Sequence, residues 1–536
     1  MVGFHSKTKT VTFAAFLLAV FAFLSRVLGM LRNNFLGNIF PNIEVDMYLA
    51  SFRIPDLVYG ILITGGIVSA FLPVFSSAFK KGKSRDLVRN VFTVFGLSLV
   101  LVSFALALLS PQLVKLSVPG FSLEQQKTTA SLMRIMFLSP IILGSSAIIS
   151  GVLHYFNLFL AYALAPVLYN LGIIFGILFF APKFGLKGVA FGVVLGALFH
   201  LIVQLPPFFK KGFSLKPLVG LKSKDLRKIF SLMIPRSIGS AAHHLNLIVL
   251  TALGSTLAAG SILIFSYSND LYSIPLGLVG VSFATAAFPQ LSRSFADNDK
   301  KEFLRQVSSS FSKVLFLVVP LSFLMFLFRA QIVRLIYGTR LLGQGYFGWE
   351  VTRLTAASLG IFSVSVFASC LIPLLSRVFY SFHDTKTPVK IAVLSMVLNI
   401  AFAFLFVNLF AGNNFLERML KVSDLQNTAI LALPSALSLS CLLQFFLLLV
   451  FLKKKVKKIN FKTSLMKILL SSVLMSIIGF LSLRLFDFKT ETVLGLSLQL
   501  LSSLFLALLS YLFFCYVLKC SEMKSIFLSL REQFRK

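Results

Sequence analysis

Along the whole chain, apolar runs of near-constant length alternate with short polar connections. About fourteen such runs occur, each near the roughly 20 residues an α-helix needs to cross a hydrocarbon core. Their approximate limits are 11–32, 45–78, 90–110, 128–153, 160–181, 187–208, 229–253, 260–294, 307–328, 352–380, 389–411, 427–452, 465–485 and 492–518. The second and eighth are long because each carries breaks: Pro55 with Gly65 and Gly66 in one, Pro275 with Gly277 and Gly280 in the other. Proline removes a backbone hydrogen bond and glycine weakens a helix, so both segments are predicted to be interrupted helices. The pattern predicts an all-α integral membrane protein.

The runs also repeat. IPDLVYG and GGIVSAFLPVFSSAF at 54–60 and 65–79 are echoed by IPLGLVG and VSFATAAFPQLSRSF at 274–280 and 281–295. VLHYF with Asn170 downstream is echoed by VFYSF with Asn399 downstream. These offsets predict a six-helix lobe over 1–225, a second over 226–455, and two extra helices with a tail over 456–536. Because six is even, the halves enter the membrane in the same sense, as parallel repeats, a build in which substrate is carried between the halves.

Composition agrees: 57% hydrophobic and 13% charged residues leave too little polar surface for a soluble protein. Sixty Phe stand against one Trp, so the usual tryptophan belt is nearly absent. The net charge of +33 would suggest nucleic acid, but its distribution points to topology instead. From a cytoplasmic N-terminus, the basic clusters fall on alternate connections: Lys80, Lys81, Lys83, Arg85 and Arg89; then Lys210, Lys211, Lys216, Lys222, Lys224, Arg227 and Lys228; then Lys453, Lys454, Lys455, Lys457, Lys458 and Lys462. That is the positive-inside pattern. The intervening connections 33–44 and 254–260 hold no Lys or Arg, although 329–340 holds three Arg. Both termini are expected in the cytoplasm, with the lysine clusters against the anionic phospholipid of the inner leaflet. The first run has no small-residue cleavage site after it and is interrupted by Arg26, so it reads as a retained helix rather than a signal peptide.

The candidate chemistry lies in charges at membrane depth. Arg26, Arg32 and Arg53 sit in the first two runs with Asp46 among them; Arg236 follows Pro235 in the seventh and Asp270 follows Asn269 in the eighth. A charge at the bilayer centre costs about 3 kcal/mol on insertion scales and is kept where it faces a polar cavity or a partner. An excess of guanidinium, permanently charged and offering paired donors, suits phosphate. Arg32 is close enough to a helix end to snorkel, and Arg236 with Asp270 also suits a structural ion pair. His243 and His244 are adjacent and point to different faces, which argues against a shared metal. The connection 376–390, SRVFYSFHDTKTPVK, reads as a solvated turn or as a hinge or head-group gate. Cys370, Cys441, Cys515 and Cys520 have no metal or redox spacing. No phosphate-binding loop, Ser-His-Asp set or HExxH motif is present. A transporter, not an enzyme, is expected, without cofactor or metal, driven by a coupling ion or by the membrane potential at about 2.3 kcal/mol per charge per 100 mV.

SRVLGMLR at 25–32, Asp46 followed by RIP at 53–55, SAFLPVF at 69–75, LAPVLYNLGII at 164–174, IPLGLVGVSFATAAFPQLS at 274–292 and FHDTKTPVKIA at 382–392 resemble the MurJ (MviN) family of lipid II flippases, within the multidrug/oligosaccharidyl-lipid/polysaccharide exporter superfamily. The resemblance covers roughly 10–450. It implies fourteen helices and movement of lipid II, the undecaprenyl-diphosphate-linked muropeptide of peptidoglycan synthesis, from the inner to the outer face of the cytoplasmic membrane by alternating access. It implies that arginines of the first two helices and of the eighth line a cationic cavity, and that the last two helices shape a groove for the lipid tail. Arg26 and Arg32 match the family's helix-one arginines and Asp46 its helix-two aspartate. The chain departs from the pattern elsewhere, with Tyr59 where many members have arginine, Thr64 where they have glutamate, and Asp270 near the usual helix-eight arginine. Arg236 is the candidate to restore that positive charge. The substrate-binding set expected from the sequence is therefore Arg26, Arg32, Asp46, Arg53, Arg236 and Asp270. An exporter of another lipid-linked oligosaccharide, or a drug or cation antiporter of the same superfamily, is the alternative; an antiporter would carry more acid in its cavity than this chain does.

Overall fold

The computed structural model describes residues 11–61, 68–410, 415–456, 462–486, 488 and 491–523, without the side chains at 11–16, 68, 69, 235, 236, 238–240 and 462–464. Among the described residues the regular structure is entirely helical. Ten helices are long and apolar enough to cross a membrane, or eleven if a pair bent by 46° at residues 364–365 counts as one span. Among the described residues each of the fourteen apolar runs carries helix, and the protein is an all-α membrane protein as the pattern predicts.

Packing divides the chain into two compact units. The first comprises 1–263 with 340–347. It contains α1 (Val11–Ile39), α2 (Asn42–Tyr59), α3 (Val68–Lys80), α4 (Ser84–Leu108), α5 (Ser110–Ser117), α6 (Leu123–Met136), α7 (Leu138–Tyr155), α8 (Phe159–Phe175), α9 (Ala181–Phe184), α10 (Leu186–Ile202), α11 (Leu205–Lys210) and α12 (Lys224–Ser255). Helix α12 packs on α2 and α3 and so belongs with this unit, whereas the sequence echoes begin a new repeat at 226. Glycines set the closest crossing. A Cβ on Gly172 would lie 2.3 Å from Gly196 Cα, and one on Gly176 would lie 2.4 Å from Gly192 Cα, so α8 and α10 touch backbone to backbone. That contact fixes the face of α8 turned to α1, where the functional residues begin.

The second unit comprises 264–339 and 348–536. After α13 (Ser261–Pro275) come α14 (Ser282–Ala296), α15 (Lys300–Leu327), α16 (Arg329–Val333), α17 (Trp349–Ser363), α18 (Val366–Ser381), α19 (Lys386–Leu409), α20 (Phe415–Leu420), α21 (Ala432–Lys455), α22 (Lys462–Leu485) and α23 (Val493–Val517). The last two pair with each other, and Tyr511 Oη of α23 donates to Phe316 O of α15 at 2.7 Å.

Both predicted breaks carry π-helical turns. At Pro275 the helix widens into a π-turn over Leu276–Val281 before α14 resumes. In α2, Pro55 sits inside the helix and the chain passes into π geometry at residues 60–61. Gly65 and Gly66 lie outside the described residues. A widened turn accommodates the hydrogen bond that proline removes while the chain continues along one axis.

Candidate functional site

Arginines of α1 and α2 build the polar centre of the first unit. Six residues of helix leave about 120° between Arg26 and Arg32, so the two leave α1 in different directions. Arg32 turns to α8: its Nη1 donates to Asn170 Oδ1 at 3.3 Å, and its Nε and Nη2 donate to Asn33 Oδ1 at 3.1 and 3.0 Å. Asn170 is itself held, its Nδ2 donating to Ser25 O and Oγ at 3.1 Å and to Pro166 O at 3.2 Å. One amide thus ties α1 to α8 with its donors and steadies the guanidinium with its acceptor. Arg26 is half-buried on the adjacent face.

Arg53 reaches across to α12, where its Nε donates to Thr251 Oγ1 at 2.7 Å. One turn further along α2 stands Asp56, whose carboxylate feels both Arg53 and Arg32. Two guanidinium groups against one carboxylate leave a positive excess. Beside them opens a cavity of about 270 Å³ lined by Asp56, Tyr59, Tyr169 and His200 among others. At its far wall His200 Nδ1 meets Ser146 Oγ at 2.8 Å, and Gln204 joins Ser146 and Ser150 in the same network at 2.8 and 2.6 Å. The cavity is thus of mixed character, with Phe52, Met136 and Leu143 on its wall beside Asp56, Tyr59 and Tyr169, and a bonded polar network behind His200.

The remaining predicted residues are placed elsewhere. Asp46 lies on the same face of α2 as Arg53 but about 10 Å away along the axis. It is buried, and its two oxygens accept the backbone N–H groups of Gly260 and Leu263, each at 2.7 Å. Asp46 therefore fastens the start of α13 by satisfying donors that a helix N-terminus leaves without partners. Arg236 lies on α12 with its side chain outside the described residues; the neighbouring Ser237 Oγ donates to Ile61 O at 2.7 Å. Asp270 is exposed on α13 in the second unit, where its backbone carbonyl accepts from Ser273 Oγ at 2.8 Å. The structure thus brings together Arg32 and Arg53 of the expected set.

Sequence reading missed Asp56, Thr251 and His244 as parts of this centre. Asp56 had a local signal, since it follows Arg53 by three residues and shares its helix face. Thr251 and Asn170 had none, because their partners are 198 and 138 residues away. His243 and His244 place their ring centroids 5.6 Å apart, and both feel the charge of Arg53. The ring of His244 lies over Gly60, where a Cβ would sit 2.0 Å from Nε2.

The connection at 376–390 is fastened rather than simply solvated. Asp384 accepts from Thr387 N at 3.0 Å, from Thr387 Oγ1 at 2.8 Å, and from Lys455 Nζ at 2.5 Å. Partial burial disfavours the charged carboxylate, but Lys455 and Thr387 outweigh it and hold the carboxyl down at about 2.

Comparison with known proteins follows the same lines. The family model described as "Lipid II flippase MurJ" matches residues 37–503. The chain is 27% identical over 391 residues to a "Probable lipid II flippase MurJ" of Buchnera aphidicola, covering 71% of this chain and 74% of that protein. It is 27% identical over 402 residues to the "Lipid II flippase MurJ" of Burkholderia cenocepacia, covering 73% and 77%. Among solved structures, a lipid II flippase MurJ in an inward closed conformation superposes with a TM-score of 0.74 at 22% identity, over 94% of this chain and 98% of that one. An inward-facing multidrug transporter of the MATE family superposes with a TM-score of 0.63 at 12% identity, over 81% and 96%. An outward-facing one superposes with a TM-score of 0.55 at 13% identity, over 84% and 99%.

Proposed function

Because the chain belongs to the MurJ family of lipid II flippases, we propose that Arg26, Arg32, Arg53 and Arg236 together hold the diphosphate of lipid II during its passage across the cytoplasmic membrane. The protein is a multi-pass membrane transporter, and lipid II is its substrate. The observation that carries the arginine assignment is that the charges of Arg32 and Arg53 both bear on Asp56, which lines the cavity. In the absence of substrate Asp56 offsets part of the positive charge; an arriving diphosphate brings more negative charge and takes over both guanidinium groups. Asp46 acts through the position of α13, and Asp270 belongs to the substrate path of the second six-helix lobe, 226–455.

Movement is by alternating exposure of the site to the two faces, a scheme supported by the shared fold of transporters solved inward-facing and outward-facing. The positive excess of the centre couples its reorientation to the membrane potential or to a coupling ion. Both termini lie in the cytoplasm in this scheme, with the lysine clusters against the inner leaflet.

Two experiments test the proposal. Arg53→Glu and Arg236→Glu, each expressed at the normal level, should fail to support growth of a flippase-depleted cell; growth on either variant removes that residue from the site. Purified protein in vesicles should translocate lipid II in preference to a lipid-linked O-antigen precursor and to a cationic dye. Preference for the dye would overturn the reading in favour of an antiporter.

A further inference from the structure

The second unit contains a cavity of about 580 Å³. It extends from Phe326 and Phe410, at the ends of α15 and α19, to Val364 at the bend between α17 and α18. Along α21 its wall runs from Ser435 to Leu442, about 10 Å of helix. Its lining is almost wholly apolar, and its two hydroxyls are already engaged. Ser435 Oγ donates to Leu431 O at 2.7 Å; Ser438 Oγ donates to Ile361 O at 3.3 Å and receives Ser365 Oγ at 3.2 Å. A polar group entering this depth would lose its water without gaining a partner, so the interior calls for hydrocarbon.

The rim is different. Arg329 opens α16, one residue beyond the Phe328 that caps α15, and its stem lies in a slot that Gly360 leaves open: a Cβ there would sit 2.9 Å from Arg329 Cδ and 3.3 Å from Leu420 Cδ2. The guanidinium lies 4.8 Å from the ring centroid of Phe326 and donates from Nη1 to Phe326 O at 2.9 Å. Among the described residues no carboxylate forms an ion pair with it. The short helix α20 closes one side of the cavity through Leu420, and the segment after it is clamped by Arg353. That arginine donates to both oxygens of Asp424 at 2.6 Å and to Lys421 O at 2.5 Å.

We propose that this cavity binds an anionic glycerophospholipid, with one acyl chain inside and the phosphate on Arg329. The surrounding membrane supplies the ligand, the apolar interior accepts the chain, and a guanidinium without a carboxylate partner matches a phosphate. A zwitterionic lipid offers the same chain, but its head group also carries a cation that Arg329 repels. The site lies within the second unit and does not depend on which substrate the arginine centre of the first unit carries.

The test is lipid retention by the purified full chain, read by native mass spectrometry with phosphatidylglycerol and phosphatidylcholine of matched acyl chains. The wild type should retain phosphatidylglycerol about tenfold better, the scale of one charge-assisted contact. Arg329→Gln should erase that preference while leaving phosphatidylcholine retention unchanged. Val364→Trp, at an exposed position on the lining, should reduce retention of both. Equal retention of the two lipids by the wild type, or an undiminished preference in Arg329→Gln, overturns the proposal. So does displacement of phosphatidylglycerol by an equal concentration of undecaprenyl phosphate, which would make the cavity a seat for the substrate's own tail.

Discussion

The two echoed helix breaks, IPDLVYG at 54–60 and IPLGLVG at 274–280, share a proline and a glycine yet stand in different chemistry. Around Pro55 are Arg53, Asp56 and Thr251, and the glycine that ends the segment is covered by an imidazole. Around Pro275 are Leu276 and the stacked rings of Tyr272 and Phe362, 4.8 Å apart, and Gly280 lies against the backbone of Cys370. A broken helix is thus a frame that either unit uses, and the residues beside the proline decide whether the frame holds charge. In the first unit arginine and aspartate flank the proline, and in the second stacked aromatic rings lie beside it.

The largest effect expected from this contrast is at Arg53. Removing one partner of a buried, hydrogen-bonded charge pair costs about 2–5 kcal/mol, which at about 1.4 kcal/mol per decade is at least about thirtyfold. Arg53→Ala should weaken lipid II binding by that much in a titration with purified protein, whereas Leu276→Ala at the second break should leave it unchanged. Equal losses at both breaks would erase the distinction drawn between them.

The glycines sharpen the contrast on stability. On Gly280 an added Cβ meets Cys370 Cα and O at 2.8 Å, and backbone cannot swing aside. On Gly60 the nearest atoms it meets belong to the His244 ring, which can rotate. Gly280→Ala should therefore cost about 1–3 kcal/mol, the range for overpacking, and Gly60→Ala less than about 1 kcal/mol. Thermal unfolding in detergent would rank them, and the reverse order would mean that the His244 ring is fixed.

The helical spans, the two breaks and the arginines were legible in the sequence because each rests on local pattern: apolar length, proline, and charge inside an apolar run. Arg32 and Arg53 both bear electrostatically on Asp56. What one sequence could not show is pairing at a distance. Asp46 looked like part of an anion-handling cavity, but a buried carboxylate between two backbone N–H groups is a helix anchor, and Gly260 and Leu263 lie more than 200 residues away in sequence. The widened turn at Arg334–Gly338 was likewise unreadable, since no proline marks it. The assignment of α12 to the first unit follows from its packing on α2 and α3, to which the sequence echoes are blind.

Asp46 yields a smaller prediction. Loss of a side-chain cap at a helix start costs about 0.5–2 kcal/mol. Asp46→Ala should lower the unfolding temperature yet leave lipid II affinity in the purified, folded protein near that of the wild type. A loss of affinity as large as that of Arg53→Ala would return Asp46 to the binding site.

The smallest effect belongs to a charge pair at the helix ends of the second unit. Asp384, in the turn between α18 and α19, is paired with Lys455 at the end of α21 and is held at about 2, below the ordinary carboxylate value near 3.9. A carboxyl with a depressed folded-state value stabilises the fold fully above the unfolded value. Its contribution shrinks as pH falls from about 4 and is gone once pH has passed below about 2. Because the Lys455 side chain is 44% exposed, screening limits the pair to less than about 1 kcal/mol. Asp384→Asn should thus lower the unfolding temperature slightly at pH 6, and the gap to wild type should close as pH is lowered toward 2. A gap that stays constant over that range would mean that Asp384 acts only through its hydrogen bonds to Thr387, which asparagine preserves in part. The charge of the second unit would then contribute nothing at the membrane edge, and the contrast with Arg53 at membrane depth would become complete.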